Sequence, residues 1–253
     1  MEQLRLNKFL AERIGVSRRE ADDLITSGKI TVNGAKAVLG ARIDKNDKVC
    51  YNKNIVPFET NFLYLAFNKP VGYVCSRRSQ GNAPTLYELL PQEYRQLKTV
   101  GRLDKDSSGL ILLTNDGDFA YQMTHPKFHK EKIYEVELDR PLEPLHQQMI
   151  SDYGIMLDDG PSKFTIVKKL ADLSFEDRKL GRAPLFAKGA RSCVSEKDNQ
   201  QVDYIVTLSE GRNRQIRRTF ATLGYTVTKL HRTKFGKYQL SGLKSGAYAI
   251  IKP

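Results

Sequence analysis

A short charged loop at residues 101–109, GRLDKDSSG, holds the side chains best suited to chemistry. Asp104 lies between Arg102 and Lys105, and nearby positive charge favours an ionised carboxylate. An ionised and oriented carboxylate is the group that nucleophilic catalysis at a sugar or phosphoryl centre requires. Asp104 is therefore a candidate nucleophile.

Three other interpretations of this loop compete with a nucleophile. A solvated acidic turn is the common fate of an isolated match, and the loop residues alone do not exclude it. A calcium loop would use Asp104, Asp106 and Ser108, but its twelfth position should be a glutamate. That position is Asn115, and a strand-like segment follows instead of a helix, so we exclude calcium. A phosphotransferase using Asp-x-Asp would need magnesium, and no further paired carboxylates stand at suitable positions.

The apolar run LILL at residues 110–113 must position this loop. It is bounded by glycine and by the turn sequence Asn-Asp-Gly-Asp, which predicts a strand buried on both faces. A polar loop held by a buried strand presents chemistry with a geometry that the loop alone could not fix. The glycines at the two ends of the loop should allow tight turns and the close approach of a ligand.

Composition points to a polyanionic partner. The 253 residues are 40% hydrophobic and 28% charged, as in an ordinary globular protein with room for a large and a small domain. The 41 Lys and Arg exceed the 29 Asp and Glu, so the net charge is +12, which favours nucleic acid or an anionic membrane. We expect no membrane partner, because no run approaches about 20 apolar residues and the polar N-terminus is no signal peptide.

Cysteine and histidine usage indicates neither a disulfide framework nor a metal site. Cys50, Cys75 and Cys193 are an odd, scattered set without CxxC spacing. The four histidines are not paired at the spacing of metal ligands. We therefore expect a reducing, cytoplasmic compartment and no metal.

The N-terminal region predicts two short helices and a hairpin. Apolar residues recur at helical spacing up to Gly15, and Ser17 with Glu20 forms a capping-box pattern at the start of a second helix. Further on, Asn33-Gly34 is a strong signal for a two-residue hairpin turn.

Two arginines break a local rule in that second helix. Arg18 and Arg19 occupy its first turn, where the helix dipole mildly disfavours cations, so a phosphate contact is a better explanation than stability. Residues 4–49, with Ser17-Arg18 and the sequence TVNG as specific matches, resemble the small RNA-binding module named after ribosomal small-subunit protein four. That resemblance implies that four cations face RNA: Arg5, Arg18, Arg19 and Lys29.

A second concentration of arginine lies in EGRNRQIRR at residues 210–218, after a predicted strand at 204–208. Ile216 and Phe220 predict the buried face of a helix that ends at Gly224. Four arginines lie near its start, where the dipole again disfavours them: Arg212, Arg214, Arg217 and Arg218. Such a density of one sign indicates phosphate or base contacts more than fold stability.

The remaining pattern predicts an α+β fold with a mainly antiparallel mixed sheet flanked by helices, since no strict βαβ repeat occurs. Residues 62–67 and 73–76 predict a hairpin around a Pro-Gly turn. KIYEVEL at 132–138 alternates like a half-exposed strand. Between residues 171 and 201 the pattern dissolves into charge, Gly and Pro, which indicates either a mobile substrate-facing loop or a variable insertion.

From residue 62 onward the chain resembles the RsuA/RluB-type pseudouridine synthases. Four motifs occur in the family's order: NKPVGY at 68–73, GRLD with SGL at 101–110, EKIY at 131–134, and EGRNRQIRR at 210–218. The resemblance implies the pseudouridine synthase fold and cofactor-free isomerisation of uridine to pseudouridine in ribosomal RNA. The expected domains are an RNA-binding module at 1–51, a linker at 52–61 and a catalytic domain at 62–253.

The resemblance also implies a role for each motif residue. Asp104 would attack the nucleoside or abstract a ribose proton, and Arg217 would pair with it. Tyr134 would stack on the target base and help to remove the C5 proton, although a core tyrosine is the commoner fate of a residue on a strand. Arg102 would displace the base or hold its phosphate. Four further cations are expected to contact RNA: Lys69, Arg212, Arg214 and Arg218.

Substrate and alternatives follow from the same motifs. The turn sequence LDDGP at 157–161 and the arginine run favour large-subunit (23S) over small-subunit (16S) RNA. The sequence GAYA at 246–249 departs from the Gly-x-x-Arg common in the family. A non-catalytic protein that binds structured RNA fits the composition equally well, and Asp104 with Tyr134 and Arg217 separates the two. We expect a monomer.

Overall fold

The computed structural model describes residues 3–59, 61–77, 81–164, 166–169 and 202–253. The predicted loop at 171–201 lies outside these residues. The strands are β1 Leu4–Arg5, β2 Ile30–Val32, β3 Ala35–Lys36, β4 Arg42–Ile43, β5 Val49–Tyr51, β6 Asn54–Ile55, β7 Tyr64–Lys69, β8 Lys98–Val100, β9 Ser108–Thr114, β10 Lys132–Leu138, β11 Ile155–Leu157, β12 Gly160–Ser162, β13 Ile166–Lys169, β14 Val202–Leu208, β15 Val227–Phe235, β16 Tyr238–Gln239 and β17 Tyr248–Ile250.

The helices are α1 Leu6–Arg13, α2 Arg18–Thr26, α3 Gly117–Thr124, α4 Pro144–Gln148 and α5 Gln215–Thr222. Short 3₁₀ turns lie at Leu86–Leu89, Gln92–Tyr94 and Pro126–Phe128, and a π-helical turn at Met149–Tyr153 continues α4.

The N-terminal helices and hairpin form as predicted. The Ser17 hydroxyl accepts from the Glu20 N–H, and the Glu20 carboxylate accepts from the Ser17 N–H, which closes the capping box of α2. Asn33 and Gly34 both have positive φ, as a two-residue turn between β2 and β3 requires. A hydrophobic cluster around Phe9 joins α1 and α2 to the strands β2, β4 and β5.

The second half of the chain folds around one large sheet. Its strand order is β13-β14-β10-β15-β9-β7-β17, with β16 beside β15 and β8 beside β9. The pair β9–β15 is parallel, and the other described strand pairs are antiparallel. Helices flank the sheet, so the predicted α+β fold with a mainly antiparallel mixed sheet is confirmed.

Strand β9 is buried on both faces, as its apolar run predicts. Ile111 and Leu113 enter the larger hydrophobic cluster, whereas Leu110 and Leu112 enter a second cluster on the opposite face. The sheet therefore has a core on each side of its central strand. The loop at 101–109 enters this strand directly and is anchored by it.

The predicted hairpin between residues 62–67 and 73–76 is wrong. Strand β7 pairs with β9 and β17, and Val74 forms only an isolated bridge to Thr85. The reason lies in the turn, where the Gly72 N–H donates to the Lys105 carbonyl at 2.8 Å. That bond directs the chain after β7 to the loop at 101–109 instead of back along β7.

Candidate active site

A buried lysine holds the backbone of the loop at 101–109. Lys69 ends β7 with a fully buried side chain, and its Nζ donates to the carbonyls of Ser107 at 2.6 Å and Asp104 at 3.1 Å. Burial lowers the pKa of Lys69. The ammonium of Lys69, which was expected to contact RNA, lies inside the protein and faces these carbonyls.

Gly109 lets two strands approach at the end of the same loop. Its φ is +105°, and an added Cβ would lie 2.3 Å from the carbonyl oxygen of Arg232 on β15. The residue therefore accommodates the parallel β9–β15 pair, and not the ligand that the sequence suggested for it. Beside it, Ser108 Oγ and His231 Nδ1 lie 2.8 Å apart.

A cysteine that the sequence did not single out secures the other side of the loop. The Cys75 thiol donates to the Leu103 carbonyl at 3.2 Å and accepts from the Leu103 N–H at 3.4 Å. Burial raises the pKa of the Cys75 thiol, so this group stays protonated at neutral pH. Lys69 and Cys75 together fix the backbone on both sides of Asp104.

The ion partner of Asp104 is Arg214. Arg214 Nη1 lies 4.0 Å from Asp104 Oδ2 and 3.4 Å from Asp106 Oδ2. The predicted ion pair between Arg217 and Asp104 does not form in the structure. Arg217 donates instead to the carbonyls of Asp106 at 2.9 Å and Val227 at 2.7 Å.

A backbone kink explains why Arg214, and not Arg217, lies beside the Asp104 carboxylate. Arg214 has φ 46° and ψ 30°, the left-handed conformation, immediately before α5. A non-glycine residue rarely adopts it, and such outliers cluster at functional sites. The kink places the Arg214 side chain by the carboxylates, while Arg217, inside α5, reaches the loop backbone.

Tyr134 lies on β10 in the alternating pattern that the sequence predicted. It is 8% exposed, and it faces the same cavity as Asp104. Its strand partner on β15 is Arg232, whose guanidinium carbon lies 6.0 Å from the centre of the tyrosine ring. Tyr134 is thus both packed in the core and a wall of the cavity.

The cavity has a volume of about 280 Å³, near the lower end of small-molecule sites. Its walls come from the loop at 101–107, from β10 and β15, and from the residues before α5. Asp104, Tyr134 and Arg214 all line it, and so does Arg102, which is exposed to solvent. The structure thus brings a carboxylate, an aromatic ring and several cations to one opening.

Two further cations of this cavity escaped the sequence interpretation. Lys132 and Arg232 line it and are only 9% and 2% exposed. Burial and the neighbouring Arg232 charge lower the pKa of Lys132 to about 8. The alternation that put Tyr134 on the core face puts Lys132 on that face too, so this residue could have been found from the sequence.

Two arginines of the run at 210–218 are engaged by protein groups. Arg212 pairs with Asp159 at 3.0 Å and donates to the carbonyls of Gly160 and Pro161. Arg218 pairs with Asp159 at 2.7 Å. Their charges bind the turn at 157–161 to the residues at the start of α5, and their contact with RNA stays a prediction.

The cations of the N-terminal module are free to meet a large ligand. Arg5, Arg18, Arg19 and Lys29 are all exposed to solvent. Within the described residues, no group of His, Cys, Asp or Glu is arranged to hold a metal ion. Across the same part of the chain, no helix combines the length and apolarity that a membrane span needs.

Comparison with known proteins gives two family matches. Residues 63–222 match the family described as RNA pseudouridylate synthase, and residues 4–49 match the S4 domain. A solved structure described as a pseudouridylate synthase has 30% identity and a TM-score of 0.61, covering 98% of this chain and 96% of that one.

Individual relatives span nearly the whole chain. Ribosomal small subunit pseudouridine synthase A of Pasteurella multocida (strain Pm70) is 34% identical, over 98% of this chain and 96% of its own length. Ribosomal large subunit pseudouridine synthase B of Bacillus subtilis (strain 168) is 32% identical, over 98% and 92%. Dual-specificity RNA pseudouridine synthase RluF of Salmonella typhi is 33% identical, over 96% and 74%.

Proposed function

We propose that Asp104 is the attacking group with which this chain isomerises uridine in ribosomal RNA. The proposal starts from the family: the chain belongs to the RNA pseudouridylate synthases. One observation carries the assignment of Asp104. Its carboxylate lines a cavity with Tyr134, while Lys69 clamps its backbone and Arg214 lies 4.0 Å from its oxygen. A preorganised carboxylate beside an aromatic wall suits attack on a nucleoside whose base is stacked there.

The reaction begins with extrusion of the target base. A uridine in folded RNA must leave its stack at a cost of a few (about 2–4) kcal/mol before its glycosidic bond can be reached. Stacking on an aromatic ring returns about 1–3 kcal/mol per base, and phosphate contacts add to it. Tyr134 is the ring in the cavity, and exposed Arg102 lies at its edge for a phosphate.

Asp104 then acts on the ribose. Its carboxylate either attacks C1′ or removes a ribose proton, and in both routes the bond between C1′ and N1 breaks. The detached uracil turns in the cavity and C5 bonds to C1′. In the attack route the bond between Asp104 and C1′ breaks as this new bond forms, and in the other route Asp104 returns the proton to the ribose. The C5 proton then leaves and N1 takes up a proton. Tyr134 faces the base and assists removal of the C5 proton. The chemistry uses side chains of this chain and no cofactor.

We place the RNA contacts of the S4 domain on Arg5, Arg18, Arg19 and Lys29. Their exposure and charge support docking to phosphates of structured RNA. This division assigns RNA binding to residues 1–51 and chemistry to 62–253. The protein would act as a monomer in the cytoplasm, where it meets its substrate.

Large-subunit (23S) RNA is the proposed substrate. The turn sequence at 157–161 and the arginine run support this choice, and the ion pairs of Arg212 and Arg218 with Asp159 join the two motifs. Relatives are named for either subunit, so the choice needs a direct experiment.

A pseudouridine map of ribosomal RNA from cells with and without this protein is that experiment. We expect one or more pseudouridines of the 23S RNA to disappear when the protein is absent. A change confined to 16S RNA would overturn the subunit assignment, and two identical maps would overturn the proposed activity.

A further inference from the structure

Two buried cations on the cavity wall have no carboxylate partner. Lys132 and Arg232 are 9% and 2% exposed, and neither forms an ion pair with any carboxylate of the described residues. Arg212 and Arg214, which line the same cavity, are both paired with carboxylates. Burying an unpaired charge is costly, so such a pair calls for a functional explanation.

Irregular strand pairing puts both cations on one face. Lys132 and Tyr134 are two residues apart on β10 and point to the same side. On β15, Phe235 lies opposite Lys132 and Arg232 lies opposite Tyr134, with a register shift between these two pairs. Bulges of this kind re-aim side chains near active sites.

Neutral groups hold the two cations in place without cancelling their charge. Lys132 Nζ donates to the Glu210 carbonyl at 3.1 Å and lies 5.4 Å from the centre of the Phe235 ring. The Glu210 carboxylate is turned to Arg212 and Gln215. Arg232 Nε donates to the Leu110 carbonyl at 2.7 Å, and its guanidinium carbon lies 4.9 Å from the same ring.

Hydrogen-bonding capacity remains on Arg232. Its Nη2 is buried and has no hydrogen-bond partner among the described residues. A buried donor without a partner is rare in folded proteins and calls for an explanation, such as a functional role or a bound ion. Beside it lie two aromatic rings, Tyr134 and Phe235, which suit a flat ligand.

We propose that Lys132 and Arg232 form an anion site for the detached uracil of the reaction. This inference rests on the proposed function. When the bond between C1′ and N1 breaks, its electron pair stays on N1 and spreads to the ring oxygens, so the leaving base carries a negative charge. The two cations stabilise that charge, which develops in the transition state and is absent from the bound uridine.

A backbone phosphate is the competing ligand for the same cations. A phosphate stays attached to the RNA chain, and the exposed cation at the cavity edge, Arg102, meets it first. Lys132 and Arg232 lie instead among the rings that face the base. A base anion therefore fits these two residues better than a phosphate does.

The test compares two leaving groups. Ribosomal RNA assembled by splinted ligation carries either uridine or 5-fluorouridine at the mapped target position alone. Fluorine withdraws electrons and stabilises the uracil anion without help from the protein. Single-turnover consumption of the target nucleoside, at saturating enzyme, then reports bond breaking for wild type, Lys132→Met, Arg232→Met and Lys237→Met. Lys237 is an exposed cation after β15 and serves as the matched control.

We expect Lys132→Met and Arg232→Met each to slow consumption of uridine by about 100-fold, the loss typical of removing one oxyanion donor. For the same two variants, the slowing of 5-fluorouridine consumption should be about tenfold smaller than the slowing of uridine consumption. Lys237→Met should match the wild-type rate on both RNAs. Equal losses on both RNAs would overturn the anion site, as would weaker RNA binding with an unchanged saturated rate, which is the phosphate outcome. If wild type forms no pseudouridine in the uridine RNA, the proposed function itself fails.

Discussion

Lys69 Nζ lies 2.6 Å from the carbonyl oxygen of Ser107, so the charge of a fully buried lysine is solvated by the backbone of the loop at 101–109. The same ammonium also meets the carbonyls of Pro70 and Asp104. The protein thus uses an internal cation to fix the loop that presents its candidate nucleophile. Loss of that cation should disturb both the stability of the fold and the placement of Asp104.

Lys69→Met should lower the free energy of unfolding by about 2–4 kcal/mol, because hydrogen bonds from a charged donor are lost and its carbonyl acceptors stay buried. The single-turnover rate should fall, whereas the affinity for ribosomal RNA should not change. Urea unfolding, kinetics and filter binding measure the three quantities. Lys105→Met, on an exposed side chain of the same loop, is the control. If Lys69→Met folds normally but binds RNA poorly, the RNA contact expected of Lys69 is supported instead.

Asp104→Asn should abolish tritium release from ribosomal RNA labelled at C5 of uridine, because an amide cannot replace the attacking carboxylate. RNA binding should persist, since the variant leaves the exposed cations intact. Asp106→Asn is the matched control, and it should stay within about tenfold of wild type because it loses only an exposed ion pair. Release by Asp104→Asn at the wild-type rate would refute its assignment.

Arg18→Ala with Arg19→Ala should weaken RNA binding and reduce the slope of log affinity against log salt by about 2, one for each lost phosphate contact. Both side chains are exposed, and the capping box of α2 does not depend on them. The double variant Lys45→Ala, Lys48→Ala removes two exposed charges elsewhere on the module and should change the slope less. Equal slopes for the two double variants would argue against a specific docking face.

The saturated rate should fall as the pH rises through about 8, where Lys132 loses its proton. Burial and the Arg232 charge lower the pKa of Lys132, and the Glu210 charge opposes them. Because a lysine is charged below its pKa, Lys132 carries its charge below about pH 8. If the charged form stabilises the leaving base, activity is present below the pKa and lost above it. Lys132→Arg keeps its charge in this range and should extend the plateau upward. A wild-type profile that stays level through this pH would exclude the role of the lysine charge.

Local patterns were enough to predict the parts of this site that local physics determines. The apolar run of β9, the alternation that places Tyr134 and the capping box at Ser17 each depend on neighbours within a few residues. The ion partner of Asp104 could not be predicted in this way, because it depends on the left-handed backbone at Arg214. The clamp by Lys69 and the contacts of Arg232 join residues far apart in sequence.

The parallel contact between β9 and β15 also has a consequence for how the protein is made. Ser108 and His231, which meet in that contact, are 123 positions apart in the chain, whereas the N-terminal hairpin joins neighbouring residues. Local contacts form early, and during synthesis the N-terminal part of a chain folds first. The growing chain can therefore fold its N-terminal module, which carries the exposed arginines, while β15 is still being translated. We infer that a nascent chain gains a surface for RNA before it gains Arg214 and Arg232, and with them a finished centre for chemistry.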